Sequence, residues 1–218
     1  MIRTLGQWLD YQQQVHPKSI DMGLERVGAV ARRLGLGRPA RRVITVGGTN
    51  GKGSTVAFIE AIARAAGLKV GAYTSPHLLR YNERVRIDGA EAADADLVAA
   101  FERIEAARGD TPLTYFEFGT LAALLLFEGA GLDLAILEVG LGGRLDATNI
   151  VDPDCAVITT VDLDHQDYLG DDRESIGFEK AGILRAGKPC VLAEKDPPSS
   201  VLRHAYAIGA FAIRGFSD

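Results

Sequence analysis

The segment Val43-Ile44-Thr45-Val46-Gly47-Gly48-Thr49-Asn50-Gly51-Lys52-Gly53-Ser54-Thr55 holds the densest chemistry in the chain. A β-branched run leads into a glycine-rich turn with one lysine, and an amphipathic helical pattern follows. Glycines let successive backbone N–H groups converge on an anion, and the following helix adds its positive N-terminal end. Lys52 supplies a mobile charge, and Ser54 or Thr55 can reach a magnesium ion. The pattern predicts a cradle for a nucleoside triphosphate. It departs from the usual phosphate-loop spelling, because Val46 stands where the first glycine belongs and Gly53 separates Lys52 from Ser54. A strand-to-helix turn needs glycine for conformation alone, but the lysine and the paired hydroxyls favour phosphate.

Other polar residues follow apolar runs. Glu138 comes directly after Leu132-Asp133-Leu134-Ala135-Ile136-Leu137, where nucleotide-hydrolysing folds place an acid to hold magnesium. An acid at that position can equally cap a helix. Gly140 to Asn149 then combine flexible backbone with Arg144 and Asp146, which suits a loop folding over a charged ligand. His165, after Asp162-Leu163-Asp164, could complete a second metal site or could belong to an ordinary turn. Magnesium seldom selects nitrogen, so a histidine ligand needs independent support. His16 and His204 are assigned no chemistry, and Cys155 and Cys190 read as reduced thiols acting as small hydrophobes.

The elements that must position these residues read as α/β. Two amphipathic helices, over 4–14 and 22–36, form a preface broken around Val15-His16-Pro17. From Arg42, short apolar runs alternate with helical segments. Strands are expected near 42–47, 69–74, 132–138, 155–161 and 189–193, with helices near 53–66, 94–107, 116–129, 174–185 and 199–208. Ala210-Phe211-Ala212-Ile213 reads as one more strand. Near-continuous apolar strands such as Leu134 to Leu137 predict a mostly parallel sheet flanked by helices on both faces. Ligands of such sheets gather beyond the carboxyl ends of the strands. Lys52, then Ser75 and His77, then Glu138, then Asp162, Asp164 and His165 follow successive strands there. The expected division is a helical preface over 1–40 and a phosphate-loop α/β unit over 41–218.

At 218 residues and 47% hydrophobic, the chain can bury a substantial core. Its net charge of −5 gives no electrostatic reason to expect nucleic acid or an anionic membrane as a partner. The N-terminus, Met1-Ile2-Arg3-Thr4-Leu5, lacks a leader pattern, and the longest apolar stretch, Leu121 to Phe127, is too short to span a bilayer. The expected location is the cytoplasm.

Six separated motifs resemble, in order, the folylpolyglutamate synthase/dihydrofolate synthase family of the Mur ligase superfamily. They are Gly48 to Ser54, Thr74-Ser75-Pro76-His77-Leu78, Tyr115-Phe116-Glu117, Glu138 to Asn149, Asp164-His165 and Glu179-Lys180-Ala181-Gly182-Ile183. The resemblance implies that Thr49, Asn50, Gly51, Lys52, Gly53 and Ser54 wrap the phosphates of ATP. It implies that Ser75 and Glu138 hold one magnesium ion and that His165 shares a second with Glu138. Lys180 matches the family's lysine that CO₂ carbamylates, although a plain surface lysine on a helix would read the same way in sequence. Lys52, His165 and Lys180 are thus the catalytic candidates. Asp21, Met22 and Gly23, Thr114, Tyr115, Phe116 and Glu117, and Leu145, Asp146 and Ala147 match segments that hold the pterin-containing substrate.

The implied reaction is ATP-dependent amide formation. The carboxylate of dihydropteroate or a folate attacks the γ-phosphate, and the resulting acyl phosphate is attacked by the amine of L-glutamate. Members of the family carry a second α/β domain that completes the ATP and glutamate sites, so the chain is expected to be an N-terminal portion with little activity alone, and a monomer when complete. The alternatives are a cell-wall Mur-type amino-acid ligase, a simple phosphate-loop ATPase, and a non-catalytic nucleotide-binding module. The Lys-Gly-Ser ending of the loop favours the folate branch over the cell-wall branch.

Overall fold

From Arg3 to Gly215, the residues described by the computed structural model, strands and helices alternate along most of the chain. Met1, Ile2 and residues 216–218, which belong to the ranges expected for the preface and the α/β unit, lie outside the described residues. The order is α1 (Leu5–Val15), α2 (Glu25–Leu34), β1 (Ala40–Gly47), α3 (Lys52–Ala65), β2 (Val70–Tyr73), β3 (Val85–Ile87) and β4 (Ala90–Glu91). It continues with α4 (Asp94–Arg108), α5 (Tyr115–Ala130), β5 (Leu132–Glu138), β6 (Cys155–Ile158), α6 (Gln166–Leu169), α7 (Arg173–Ala181), β7 (Pro189–Leu192), α8 (Ser199–Ile208) and β8 (Phe211–Arg214).

The strands form one sheet in the order β4-β3-β2-β5-β1-β6-β7-β8. Strands β2, β5, β1, β6, β7 and β8 run parallel, and only the β3–β4 edge is antiparallel. This is the mostly parallel α/β sheet expected from the apolar runs. Alternation along β5 shows why the run is apolar throughout. Leu132, Ala135 and Leu137 join the core that includes α4 and α5, while Leu134 and Ile136 join the core beneath α3. Helices α1 and α2 pack on α4 and α5 through Trp8, Val27 and Val30.

Register sets up the site. Val46 lies opposite Glu138 on one side and Val157 on the other, and Tyr73 lies opposite Leu137. Four strands therefore end at one level, and the loops after them converge at the carboxyl edge of the sheet.

The structure also differs from the sequence expectation at several points, among them the end of α7 at Ala181 rather than 185 and the unexpected short helix α6. Helix α2 starts at Glu25 rather than at 22, because Gly23 holds φ at 155° and its N–H donates to Leu145 O (3.2 Å). Strand β6 ends at Ile158 rather than at 161, because Thr159 and Thr160 turn to hydrogen-bond the phosphate-loop backbone. The β3–β4 hairpin was not anticipated. Its turn residues Asp88 and Gly89 have φ of 51° and 79°, the left-handed pair that a two-residue hairpin turn requires. Among the described residues, no helix is long and apolar enough to cross a membrane.

Candidate functional site

The loop between β1 and α3 is built around glycine. Gly48 and Gly51 adopt φ of 145° and 83°, and a Cβ on buried Gly48 would collide with the Thr159 side chain. The loop after β6 clamps this turn. Thr49 N donates to Thr160 O (2.7 Å), Asn50 N to Thr160 Oγ1 (3.0 Å) and Thr159 Oγ1 to Asn50 O (2.6 Å). Lys52 Nζ donates to Gly48 O and Thr49 O, each at 3.0 Å, so its ammonium is held over the loop. Gly51 caps α3 with no side-chain hydrogen bond, and Gly53 and Ser54 are exposed in the first turn. First-turn N–H groups have no intrahelical acceptors, so Gly51 to Ser54 present donors, helix dipole and lysine together, while Thr160 takes the N–H groups of Thr49 and Asn50.

Glu138 stands at the end of β5 beside this loop. It is only 4% exposed, and its Oε2 accepts a hydrogen bond from Ser75 N at 3.0 Å. A Cβ on Gly53 would lie 3.8 Å from Glu138 Oε1, so the carboxylate sits directly against the first turn of α3. Burial pushes its pKa up, against the Ser75 hydrogen bond and the charges of Lys52, Arg86 and Arg84. It does not cap a helix. A buried carboxylate with one oxygen free of hydrogen bonds, next to a serine, is an oxygen donor set that suits a hard divalent cation. His165 and Ser75 line the same cavity; the His165 side chain is half exposed, and its backbone is left-handed with φ of 47°. Among the described residues, no group of three or more His, Cys, Asp or Glu side chains gathers as a closed metal site.

Lys180 lies on α7 and is 2% exposed, which removes the reading of an ordinary surface lysine. Its ammonium has no hydrogen-bond or ion-pair partner among the described residues. Burial first, then the nearby charge of Lys52, lower its pKa to about 8 against the opposing effect of Asp164.

A cavity of about 420 Å³ opens beside Lys52, Ser75 and His165. Every pterin-segment candidate lines it: Asp21 to Gly23, Thr114 to Glu117 and Leu145 to Ala147. The sequence lists these segments far apart, and the fold brings them to one place. Their structural duties differ. Thr114 and Glu117 form the capping box of α5, with Thr114 N donating to Glu117 Oε2 (2.7 Å) and Glu117 N to Thr114 Oγ1 (3.2 Å). Arg26 bridges Asp21 Oδ2 (2.5 Å) and Glu117 Oε1 (3.3 Å). The hydrogen bond from Lys18, against partial burial and with the charges of Arg26, Lys18 and His16, holds Asp21 below the usual carboxylate range. His16 is committed to that turn, with Nδ1 accepting from Lys18 N and Nε2 3.5 Å from Asp21.

Asp146 organises the loop after β5. Its Oδ2 accepts from Gly140 N (3.0 Å) and Leu141 N (2.9 Å), and its Oδ1 accepts from Thr148 N (3.0 Å) and Thr148 Oγ1 (2.6 Å). Burial pushes its pKa up while these four donors pull it down. Asp146→Ala would strand buried donors, and we expect a loss of about 3 kcal/mol in urea unfolding at neutral pH. A loss below about 0.5 kcal/mol, the range of an ordinary surface change, would contradict that role.

Phosphate-loop residues Thr49 to Gly51, Gly53 and Ser54, with Glu138 and Lys180, do not line the cavity and sit beside it. Sequence reasoning missed four contributors: Arg26, Arg84, Thr159 and Thr160. Arg84 was missed because it lies before the hairpin, and the Asp88-Gly89 turn was the available signal. Thr159 and Thr160 were absorbed into a strand.

The Mur ligase middle domain family model matches residues 46–207. The dihydrofolate synthase/folylpolyglutamate synthase of Escherichia coli is 58% identical over 210 residues, covering 96% of this chain and 50% of that relative. The solved structure of E. coli FolC in complex with DHPP and ADP superposes with a TM-score of 0.96 at 57% identity, covering 97% of this chain and 51% of that one. A bifunctional folylpolyglutamate synthase/dihydrofolate synthase with Mn, AMPPNP and L-Glutamate bound gives 0.92 at 58% identity, covering 97% and 52%. The chain spans about half the length of the curated relatives it matches.

Proposed function

We propose that this chain, which belongs to the Mur ligase middle domain family, carries the carboxylate-activating half of an ATP-dependent ligase that joins L-glutamate to dihydropteroate and folates. The observation that carries the reading is the meeting of a phosphate loop with a pterin-sized cavity at one sheet edge. The three pterin-segment candidates and Lys52 line that cavity together. Relatives solved with DHPP and ADP, and with AMPPNP, Mn and L-Glutamate, support the same ligand set for this chain.

In this reading the cavity seats the pterin acid with its carboxylate toward Lys52. Gly51 to Ser54 bind the triphosphate through backbone N–H groups, Thr49 and Asn50 hold the loop in shape through Thr160, and Lys52 moves from the loop carbonyls to the phosphates. The carboxylate oxygen attacks the γ-phosphorus, ADP departs with the broken P–O bond, and an acyl phosphate remains. Activation is required because a carboxylate is a poor electrophile. The amine of L-glutamate then displaces phosphate. Ser75, Glu138 and His165 would hold magnesium, which when bound neutralises charge on the transferring phosphoryl group. Glu138, with an open oxygen beside the loop, is the strongest of these donors. Lys180, buried and without a partner next to Lys52, suits conversion by CO₂ into an anionic carbamate. Use of ATP and folate precursors supports a cytoplasmic location.

Calorimetric titration tests the reading. Mg-AMPPNP and dihydropteroate should each bind saturably at one site per chain, and each should tighten the other. Binding of nucleotide with no binding of dihydropteroate would instead favour a plain phosphate-loop ATPase or nucleotide-binding module.

A further inference from the structure

Among the charged residues lining the cavity, Lys52 and Arg84 make no ion pair with the described residues, and Arg84 is the more buried of the two; the carboxylate that feels its charge is Glu138, beside the cavity. Arg84 is 9% exposed and lines the cavity. Its Nε donates to His77 Nδ1 at 2.8 Å, which fixes the guanidinium plane and leaves the two terminal nitrogens without hydrogen bonds to the described residues. Its remaining contacts are aromatic: the guanidinium carbon lies 5.5 Å from the ring centres of both Tyr81 and Tyr115. The acids of the wall are already compensated. Asp21 pairs with Lys18 and Arg26, Glu117 faces Arg26, and Asp146 takes four donors from its own loop. A buried guanidinium without an anion is costly unless a ligand supplies one.

We propose that Arg84 receives the carboxylate of the pterin acid, the group that is to be phosphorylated. This rests on the function proposed above and adds a residue to it. The cavity then reads as a sorted surface. Phe116 and Tyr115 offer aromatic faces for a flat heterocycle and its benzoate ring, and Arg84 and Lys52 form its cationic side. One carboxylate oxygen accepts from the terminal nitrogens of Arg84. The other stays free to attack the γ-phosphorus, forming the new O–P bond as the bond to ADP breaks. The His77 contact orients the guanidinium, so His77 acts on the substrate through Arg84.

The test compares two ligands on the full 218-residue chain. Dihydropteroate and its primary carboxamide share the pterin and the ring and differ only in the charge that Arg84 would meet. The wild type should bind the acid roughly 10- to 100-fold more tightly than the amide. Arg84→Gln should lose most of that preference while keeping affinity for the amide, and Arg84→Lys should restore part of it. Mg-ATP-dependent thermal stabilisation of each variant reports that the phosphate loop is intact. If Arg84 were only a packing residue, acid and amide would weaken together and their ratio would not move, which overturns the proposal alone. Failure of the wild type to bind either ligand overturns the cavity assignment and this proposal with it.

Discussion

Lys52→Met is expected to lower dihydropteroate-dependent phosphate release by about a thousandfold while leaving the fold intact. Lys52 has no structural ion pair to lose. Its ammonium is bonded only to the carbonyls of Gly48 and Thr49, and its stem sits at the start of α3. The methionine keeps the stem and removes the charge. Phosphoryl transfer proceeds with charge spread over the γ-phosphate oxygens, so a preorganised cation inside the loop acts mainly on the transition state. Single-turnover phosphate release and urea unfolding, measured on the same preparation, separate the two effects. A rate within about fivefold of wild type would remove Lys52 from the chemistry, since a preorganised donor to transferring charge is worth far more.

Lys180→Met should make the chain more stable and less active. The Lys180 ammonium is buried without a partner, and its pKa is about 8 in the folded chain against 10.5 when exposed. Below about pH 8 both states carry the proton and the full penalty applies. Between about pH 8 and 10.5 the folded chain gives up the proton first, so the penalty fades as pH rises. Methionine abolishes it, and unfolding in CO₂-free buffer should show a gain of up to about 3 kcal/mol at pH 7 that shrinks toward pH 10. The wild type also gains a chemical option. A neutral amine adds to CO₂ and releases a proton, which gives a carbamate anion where two lysines otherwise repel. Phosphate release should therefore rise with added bicarbonate in the wild type and not in Lys180→Met. A stability difference independent of pH would assign the effect to packing, and a variant as active as wild type would remove Lys180 from the site.

Both predictions begin from residues that could be found without coordinates, Lys52 from its local pattern and Lys180 only through the family resemblance. Gly48, Gly51 and Lys52 announce themselves because their backbone and charge requirements are satisfied within a few positions. Glu138 was found because a buried parallel strand must end where its apolar run ends. Asp146 was found as a site residue through family likeness, yet its work as a four-donor staple depends on a turn that no spacing rule encodes. Arg84 was not found at all. Nothing in Tyr81-Asn82-Glu83-Arg84-Val85 separates a buried, unpaired arginine from the paired Arg86 two residues later, which meets Glu60 at 2.8 Å. Residues two apart in a strand would share a face, but Arg84 lies in the short helical turn over Tyr81–Arg84 that precedes β3, so which of the two enters the cavity is decided by that turn and by what packs on it, and those are tertiary facts. The same holds for Lys180, whose helix could be placed from sequence while its burial could not.

The central claim is that this chain transfers phosphate from ATP to a carboxylate. Its most direct test uses dihydropteroate whose carboxylate is labelled with heavy oxygen, incubated with Mg-ATP and an excess of the chain, with L-glutamate added last. If an acyl phosphate forms and is then broken at its carbonyl, the phosphate collected carries one labelled oxygen from the carboxylate. Phosphate that carries oxygen from water alone would mean simple ATP hydrolysis, and would contradict the account.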